Sequence, residues 1–397
     1  MTVTASEPEE MAVTPPQYAP NPSLRANMVF RVLFAIISSV LCWVPLRLLW
    51  RNGDFAAATL VAQVLVLNAF TVFNSIAWNS DNWDEWWDGQ GVCDVQVYLV
   101  TPLHTIYAAC IFTIVWQLSK QVQVSRATQL NRQERRKRVL VHAAIIFPLP
   151  AFQLLFTWFD LAQRYNIGTL IGCMAVFDNS WPRFVVYDAP NPIFVLASAP
   201  YGYLAFKRYR AFDKETREVL KGRSGGAASA RSNRTRFRLY LMSLSIMIVY
   251  LPVSIYLMAY NIAVAKGSTY QPYSYTRIHW EASPYPWNAI LFIPSWDLST
   301  PELNQPWITI ATSVVIVAFF GTTQDGIEMY RRYAAALGLH RLFPKLRRPF
   351  QAHGRRGRVP DSSDTQQSWI ELMSYNTGHD SGARPKDRSN GQAFASN

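Results

Sequence analysis

Charge is scarce in this chain: Asp, Glu, Lys and Arg make up 16% of its 397 residues, against roughly 25% in ordinary soluble domains. Beside a hydrophobic fraction of 50%, that deficit argues against a simple soluble enzyme. Cysteine is sparse as well, with four in all, too few for a disulfide-built secreted scaffold. The six histidines show no His-x-x-x-His or His-Glu pair, so no zinc site is indicated, and no nucleophile stands with a base. Catalytic residues, metal and cofactor are therefore all expected to be none. The start, residues 1–27, carries Glu7, Glu9, Glu10 and several prolines but lacks the basic start and short apolar core of a cleaved signal peptide. The first apolar segment is expected to remain in the mature protein.

What is present is long apolar runs. A bilayer core about 30 Å thick needs roughly 20 helical residues, with every backbone amide bonded internally. Seven segments meet that length, near 28–50, 55–77, 93–119, 139–160, 183–206, 239–261 and 305–328. The fifth is interrupted by Asp188, Pro190, Asn191, Pro192 and Pro200, breaks that helices in lipid tolerate when neighbours re-satisfy the backbone. The fold class expected is an all-α membrane protein, a seven-helix bundle over 28–328. A proline-fenced apolar piece at 285–297 is too short to cross and reads as interfacial or loop.

Orientation follows from Lys and Arg, which stay on the cytoplasmic side. The net charge of +12 lies beside the apolar runs and so points to a bilayer and not to nucleic acid. Lys120 to Arg138, Lys207 to Arg238, and the tail from Arg331 hold most of the 38 basic residues, whereas the alternate linkers hold only Arg164, Lys266 and Arg277. The amino terminus is then outside. Arg31 and Arg47, near opposite ends of the first span, are expected to reach the headgroups.

In this topology Cys93 and Cys173 both face the oxidising side, where a bridge would pin the second external loop over the bundle; two free thiols are the alternative. The first external loop, Trp78 to Gly91, has Trp83, Trp86, Trp87 and the carboxylates Asp81, Asp84, Glu85 and Asp88, with no basic residue. Tryptophans there suit the headgroup belt; the acidic clustering suggests an electronegative ligand mouth. Asp188 is a candidate pocket residue, since intramembrane charges are functional by default. On the cytosolic face, Arg135, Arg136, Lys137, Arg138, Arg231, Arg234, Arg236 and Arg238 form a candidate partner surface beyond what topology explains. Residues 329–348 suit an amphipathic helix on the inner leaflet, and 349–397 a disordered tail.

Asn74-Ser-Ile-Ala-Trp78, Trp86-Trp-Asp-Gly-Gln-Gly-Val-Cys-Asp94, Gly172-Cys173 with Asp178-Asn-Ser-Trp181, Asn233-Arg-Thr-Arg-Phe-Arg238 and Leu251-Pro-Val-Ser-Ile-Tyr256 together resemble the fungal mating pheromone receptors of the a-factor receptor type, which are class D G-protein-coupled receptors. The resemblance runs from about residue 28 to 335. It implies a plasma-membrane receptor for a peptide pheromone whose terminal cysteine is farnesylated and methyl-esterified, acting on a heterotrimeric G protein and compatible with a homodimer. Trp86, Trp87, Asp88, Asp94, Asn179, Trp181 and Asp188 are the ligand-contact candidates. Pro252, which removes a backbone donor from the sixth span, is the candidate activation hinge. The third span ends Gln117-Leu-Ser-Lys120 and the seventh reads Gly321-Thr-Thr-Gln-Asp325, so the animal-type switch motifs are missing. A transporter or an intramembrane enzyme is the rival class, but no repeated halves and no convergent catalytic groups are seen.

Overall fold

The polypeptide alternates long apolar helices with short polar joints, and each joint has a local cause. The computed structural model describes residues 22–121, 132–220, 227–267, 271–282, 284–336 and 338, with side chains left aside at 121, 132, 208–237, 239–240 and 264–267. Helix α1 (Pro22–Asn52) begins six residues before the expected span. It stops at Gly53, whose φ of +76° turns the chain into α2 (Phe55–Ala77), a conformation glycine adopts without steric cost. Then come α3 (Val92–Gln121), α4 (Arg132–Ile146) and α5 (Pro148–Asp160). The last two form one path bent at Phe147, because Pro148 has no N–H to give.

A hairpin follows: β1 (Leu161–Gly168) pairs antiparallel with β2 (Gly172–Phe177), with Gly168 opposite Gly172. A single π-helical turn over Arg183–Asp188 leads into α6 (Pro190–Leu220), and α7 (Ala227–Gly267) contains Pro252. After the short α8 (Tyr275–His279), strand β3 (Ile290–Ile293) lies parallel to β1, with Tyr165 opposite Ile290, giving the sheet order β2-β1-β3. The short α9 (Thr300–Asn304), opened by a Ser299–Glu302 capping box, runs into α10 (Pro306–Ile316). A second π turn over Val317–Gly321 and a break at Thr322 separate this from α11 (Gln324–Ala336).

Three expectations are corrected. The protein is mostly helical but not all-α, since 161–177 and 290–293 form a sheet. The apolar piece near 285–297 is not loop throughout: residues 290–293 pair as a half-buried strand, and Trp287 Nε1 donates to the Leu161 carbonyl (2.9 Å). Arg31 does not reach outward. It is fully buried, and its guanidinium donates to the carbonyls of Leu170 (3.2 Å) and Leu303 (2.6 Å).

Six helical stretches have the length and apolar composition to cross a membrane: Pro22–Asn52, Phe55–Ala77, Val92–Lys120, Gln133–Asp160, Leu241–Ala263 and Thr300–Gly321. The region 183–206 is helical, as the π turn and the start of α6, but is not in that set. The core joins Leu60, Val64, Ala108, Ile111, Ile114, Met242, Ile246 and Phe320. Two polar pairings lie inside it: Asn68 Nδ2 donates to Ser313 Oγ (2.9 Å) and Ser38 Oγ (3.4 Å), and the Tyr107 hydroxyl meets Thr312 Oγ1 (2.8 Å). An apolar environment makes such pairing nearly obligatory. The putting together of α1, α2 and α10 thus rests on both packing and hydrogen bonds.

Candidate functional site: a roofed cavity among four helices

At the end of the bundle that carries the sheet, three loops are tied into one roof. Cys93 at the start of α3 is disulfide-bonded to Cys173 on β2. Asp81 joins all three loops: its Oδ1 accepts from Thr169 Oγ1 (2.6 Å) and the Ser295 amide (2.7 Å), and its Oδ2 from Ser295 Oγ (2.8 Å). The hairpin tip, Leu170, is fully buried with φ +62°, a strained region for a leucine. It is held there because its N–H donates to the Trp78 carbonyl (2.8 Å), while its own carbonyl accepts from Arg31 and from Ser75 Oγ (3.3 Å).

Under this roof lies a cavity of about 300 Å³, at the small end of the roughly 300–1,000 Å³ typical of ligand sites. Val97, Thr101, His104 and Tyr107 of α3 line one wall, and Asn191 of α6 with Arg183 and Asp188 of the π turn another. Ser254, Met258 and Asn261 of α7 face Glu302, Gln305 and Thr309. Ile171, Met174 and Phe177 of the hairpin cover it. The π turn brings Asp188 inward, where Oδ1 accepts from Asn261 Nδ2 (2.9 Å) and Oδ2 lies 3.8 Å from Arg183 Nε. A carboxylate with one bond and one looser cationic neighbour, among amides and hydroxyls, can take hydrogen-bond donors from a ligand. Beneath the cavity, the Tyr107 and Tyr250 rings meet edge to face at 4.7 Å, linking α3 to α7.

The seven ligand-contact candidates are not brought together. Asp188 alone lines the cavity. Trp86 packs edge-on against Phe292 of β3 (5.6 Å) and donates to the Ser80 carbonyl (2.9 Å). Trp87 stacks on the buried Trp78 at 6.0 Å. The Asp88 carbonyl accepts from the Tyr165 hydroxyl (3.1 Å). Asp94 forms a two-pronged pair with Arg164, Oδ1 to Nε at 2.7 Å and Oδ2 to Nη2 at 2.6 Å; these bonds raise Arg164 further above the ordinary guanidinium range. Burial likewise raises the Tyr165 phenol. The Asn179 carbonyl accepts from the Gln271 amide (3.4 Å), and Trp181 is exposed. Most of the aromatic and acidic loop therefore builds the roof.

Cavity residues the sequence reading did not single out include Arg183, Asn261, Glu302 and Gln305. Glu302 had a legible signal in Ser299-x-x-Glu302, a helix start. At the opposite end of the bundle, Arg135, Arg136 and Lys137 are exposed on α4, with the Arg135 guanidinium beside Gly53. Arg138 bonds Asp54 (3.3 Å), and Arg238 is half-buried. The side chains of Arg231, Arg234 and Arg236, residues 1–21 and the tail 349–397 lie outside the described residues. Pro252 is exposed on α7. No group of three or more His, Cys, Asp or Glu suited to a metal occurs among the described residues.

The chain is 22% identical over 77% of its length to the Pheromone a factor receptor of Saccharomyces cerevisiae, covering 61% of that protein. It is 24% identical over 73% of its length to the Pheromone B alpha 1 receptor of Schizophyllum commune, covering 45%. Against Pheromone receptor 1 of Mycosarcoma maydis it is 22% identical over 79% of the chain and 85% of that protein. The chain thus spans only about half the length of the first two relatives. The family model STE3, Pheromone A receptor, matches residues 30–338, and this multi-pass membrane protein belongs to that receptor family, not to a family of enzymes.

Proposed function

We propose that the protein is a plasma-membrane G-protein-coupled receptor that crosses the bilayer seven times with its amino terminus outside, counting 183–206 as the fifth span. Its ligand is a farnesylated, methyl-esterified peptide pheromone, and its partner is a heterotrimeric G protein. The observation that carries this reading is the polar cavity beneath the loop roof, bounded by α3, the π turn with α6, α7 and α9–α10, in a chain of the pheromone A receptor family. The rival readings, transport and intramembrane catalysis, have no feature in the cavity to support them.

A ligand shifts a two-state bundle only by its differential affinity for the two states. Contacts on Asp188 and Asn261 join the π turn to α7, so a ligand that competes for them changes how the outer half of α7 sits. Pro252 leaves a backbone carbonyl without its helical donor and permits the inner half to swing. That movement opens the end bearing Arg135, Arg136, Lys137, Arg138, Arg231, Arg234, Arg236 and Arg238 to an acidic partner surface.

The test is nucleotide exchange on a purified heterotrimeric G protein by the receptor in nanodiscs, with synthetic farnesylated and unfarnesylated peptides. Exchange dependent on the farnesylated form supports the reading. Solute flux or substrate turnover without exchange favours the rivals, and epitope tags placing both termini on one side of the membrane refute the seven-span topology.

A further inference from the structure

At the end of the bundle away from the roof, α4 grips the turn that joins α1 to α2. Gly53 in that turn has no side chain, and the Arg135 guanidinium lies on its bare face: a methyl group at Gly53 would stand 3.0 Å from Nε and 3.1 Å from Nη2. One turn along α4, Arg138 Nη2 donates to Asp54 Oδ1 (3.3 Å). Residues three apart share a helix face. Arg135 and Arg138 therefore both meet the turn, while Arg136 and Lys137 point away from it, available to an acidic protein surface. Asp54 neutralises Arg138. Among the described residues no ion pair reaches Arg135, or Arg51 two residues before Gly53 at the end of α1.

Positive charge here exceeds what the protein itself neutralises: residues 47–55 and 132–138 hold seven basic residues against Asp54 and Glu134. Both helices also mark the depth. The exposed face of α1 is apolar through Val40 and changes at Arg47, which stands over the Trp43 ring (6.0 Å), and then at Trp50 and Arg51. On α4 the exposed surface turns apolar at Leu140 and Val141, one turn past Lys137. Tryptophan beside arginine at the end of an apolar face belongs to the headgroup layer. Guanidinium groups at that depth meet lipid phosphates, which their planar fork binds through two parallel N–H bonds. A zwitterionic headgroup brings its own ammonium into a surface already cationic, whereas an anionic one does not.

We infer that the α1–α2 turn and the start of α4 form a binding site for the headgroup of an anionic phospholipid, its phosphate held by Arg135 and Arg51. Arg135 is positioned for this by Gly53, and the Arg138–Asp54 pair fixes the helix that carries it. Free phosphate shares the headgroup's chemistry but gains nothing from the apolar face of α1 that follows, so the lipid is the occupant. A bound headgroup ties α1, α2 and α4 together at the end where the protein partner docks. The inference rests on the proposed topology only in placing this lipid in the inner leaflet; the receptor's ligand plays no part in it.

The experiment uses full-length receptor in phosphatidylcholine nanodiscs doped with a diazirine-bearing phosphatidic acid, with cross-linked sites read by mass spectrometry. Nanodiscs present both leaflets, so the outcome does not turn on sidedness, which epitope tags test separately. The expected result is labelling within 43–54 and 132–141, competed by unlabelled phosphatidic acid and not by inorganic phosphate. It should fall about tenfold in Arg135→Gln and in Arg51→Gln, the loss of a charge-assisted pair, and less in Arg135→Lys, which keeps the charge without the fork. Lys137→Gln removes the same charge about 10–12 Å away across the helix, where salt screens it, and should change labelling by less than about twofold. All three positions are exposed, and unchanged unfolding temperatures show that the variants fold. Equal losses in Lys137→Gln and Arg135→Gln would reveal a diffuse cationic field and overturn the site. Displacement by inorganic phosphate overturns the lipid as occupant, and labelling that neither Arg51→Gln nor Arg135→Gln reduces overturns the arginines' role. Absence of labelling there, with nucleotide exchange lost in Arg135→Gln, assigns the turn to the protein partner and overturns the proposal.

Discussion

Replacing Asp81 with alanine removes three hydrogen bonds that cross between loops far apart in sequence, to Thr169 Oγ1 at 2.6 Å, the Ser295 amide at 2.7 Å and Ser295 Oγ at 2.8 Å. Bonds to a charged acceptor contribute about 1.5–3 kcal/mol each. Part of that sum returns as hydration of the freed groups, because the site is only half-buried, leaving a cost of about 3–5 kcal/mol. Asp81→Asn keeps Oδ1 for Thr169 and the Ser295 amide, and its new N–H donates to a rotated Ser295 hydroxyl. Three neutral bonds of about half the strength put its cost near 1–2 kcal/mol. For a chain of this size, about 2 °C of melting temperature corresponds to each kcal/mol. Thermal unfolding in nanodiscs is then expected to fall by about 6–10 °C for Asp81→Ala and about 2–4 °C for Asp81→Asn. Hydrogen exchange at 164–170 and 290–293 should accelerate in the same order, since β3 is held to β1 from this side. Equal damage from the two variants, or unchanged protection of β3 in Asp81→Ala, would refute the roof as a unit closed by this carboxylate.

Removing the disulfide with Cys93→Ser and Cys173→Ser opens a link spanning 80 residues; chain entropy sets a ceiling of about 4.5 kcal/mol, and helices held in a bilayer reduce this to about 2 kcal/mol, readable as the unfolding shift on adding reductant to the parent. Gly172→Ala should cost about 2 kcal/mol, because φ is +75° and the new Cβ runs into Asn74; melting and loss of roof protection measure it. Asp160 is fully buried with neither carboxylate oxygen bonded among the described residues, so Asp160→Val, which removes both unpaired oxygens, is expected to stabilise by about 1–3 kcal/mol, and a lower melting temperature would contradict that. Pro252→Ala should reduce agonist-driven nucleotide exchange at equal surface expression, and unchanged exchange removes Pro252 from the mechanism.

Helix placement was legible because lipid leaves the chain few choices: twenty apolar residues without an internal partner must be helical. Cys93 and Cys173 also stood out from their neighbours. The roof was not legible as a sheet. Ile167-Gly-Thr-Leu-Ile-Gly172 holds the glycines and β-branched residues of a hairpin, yet its partner β3 lies more than a hundred residues on, inside a proline-fenced run whose length fitted a loop equally well. The candidate site was legible only at Asp188. Tryptophans and carboxylates of the first loop advertise function and packing in the same letters, and only the positions of Phe292, Arg164 and Tyr165 show that packing claims most of them. Arg31 misled for a similar reason: near a helix end, a guanidinium can reach lipid headgroups or turn to carbonyls that no local pattern announces.

Arg31 also bears on how the protein is made. Both carbonyls that receive its guanidinium belong to residues 139 and 272 positions downstream, so when the first helix enters the membrane, neither acceptor has yet been synthesised. Until translation reaches residue 303, the newborn first segment must keep that cation at the headgroup level, which its place near the helix end allows. Completion of the last helix is thus what lets the first one settle, and truncations short of residue 303 should leave the amino-terminal helix open to chaperones and degradation.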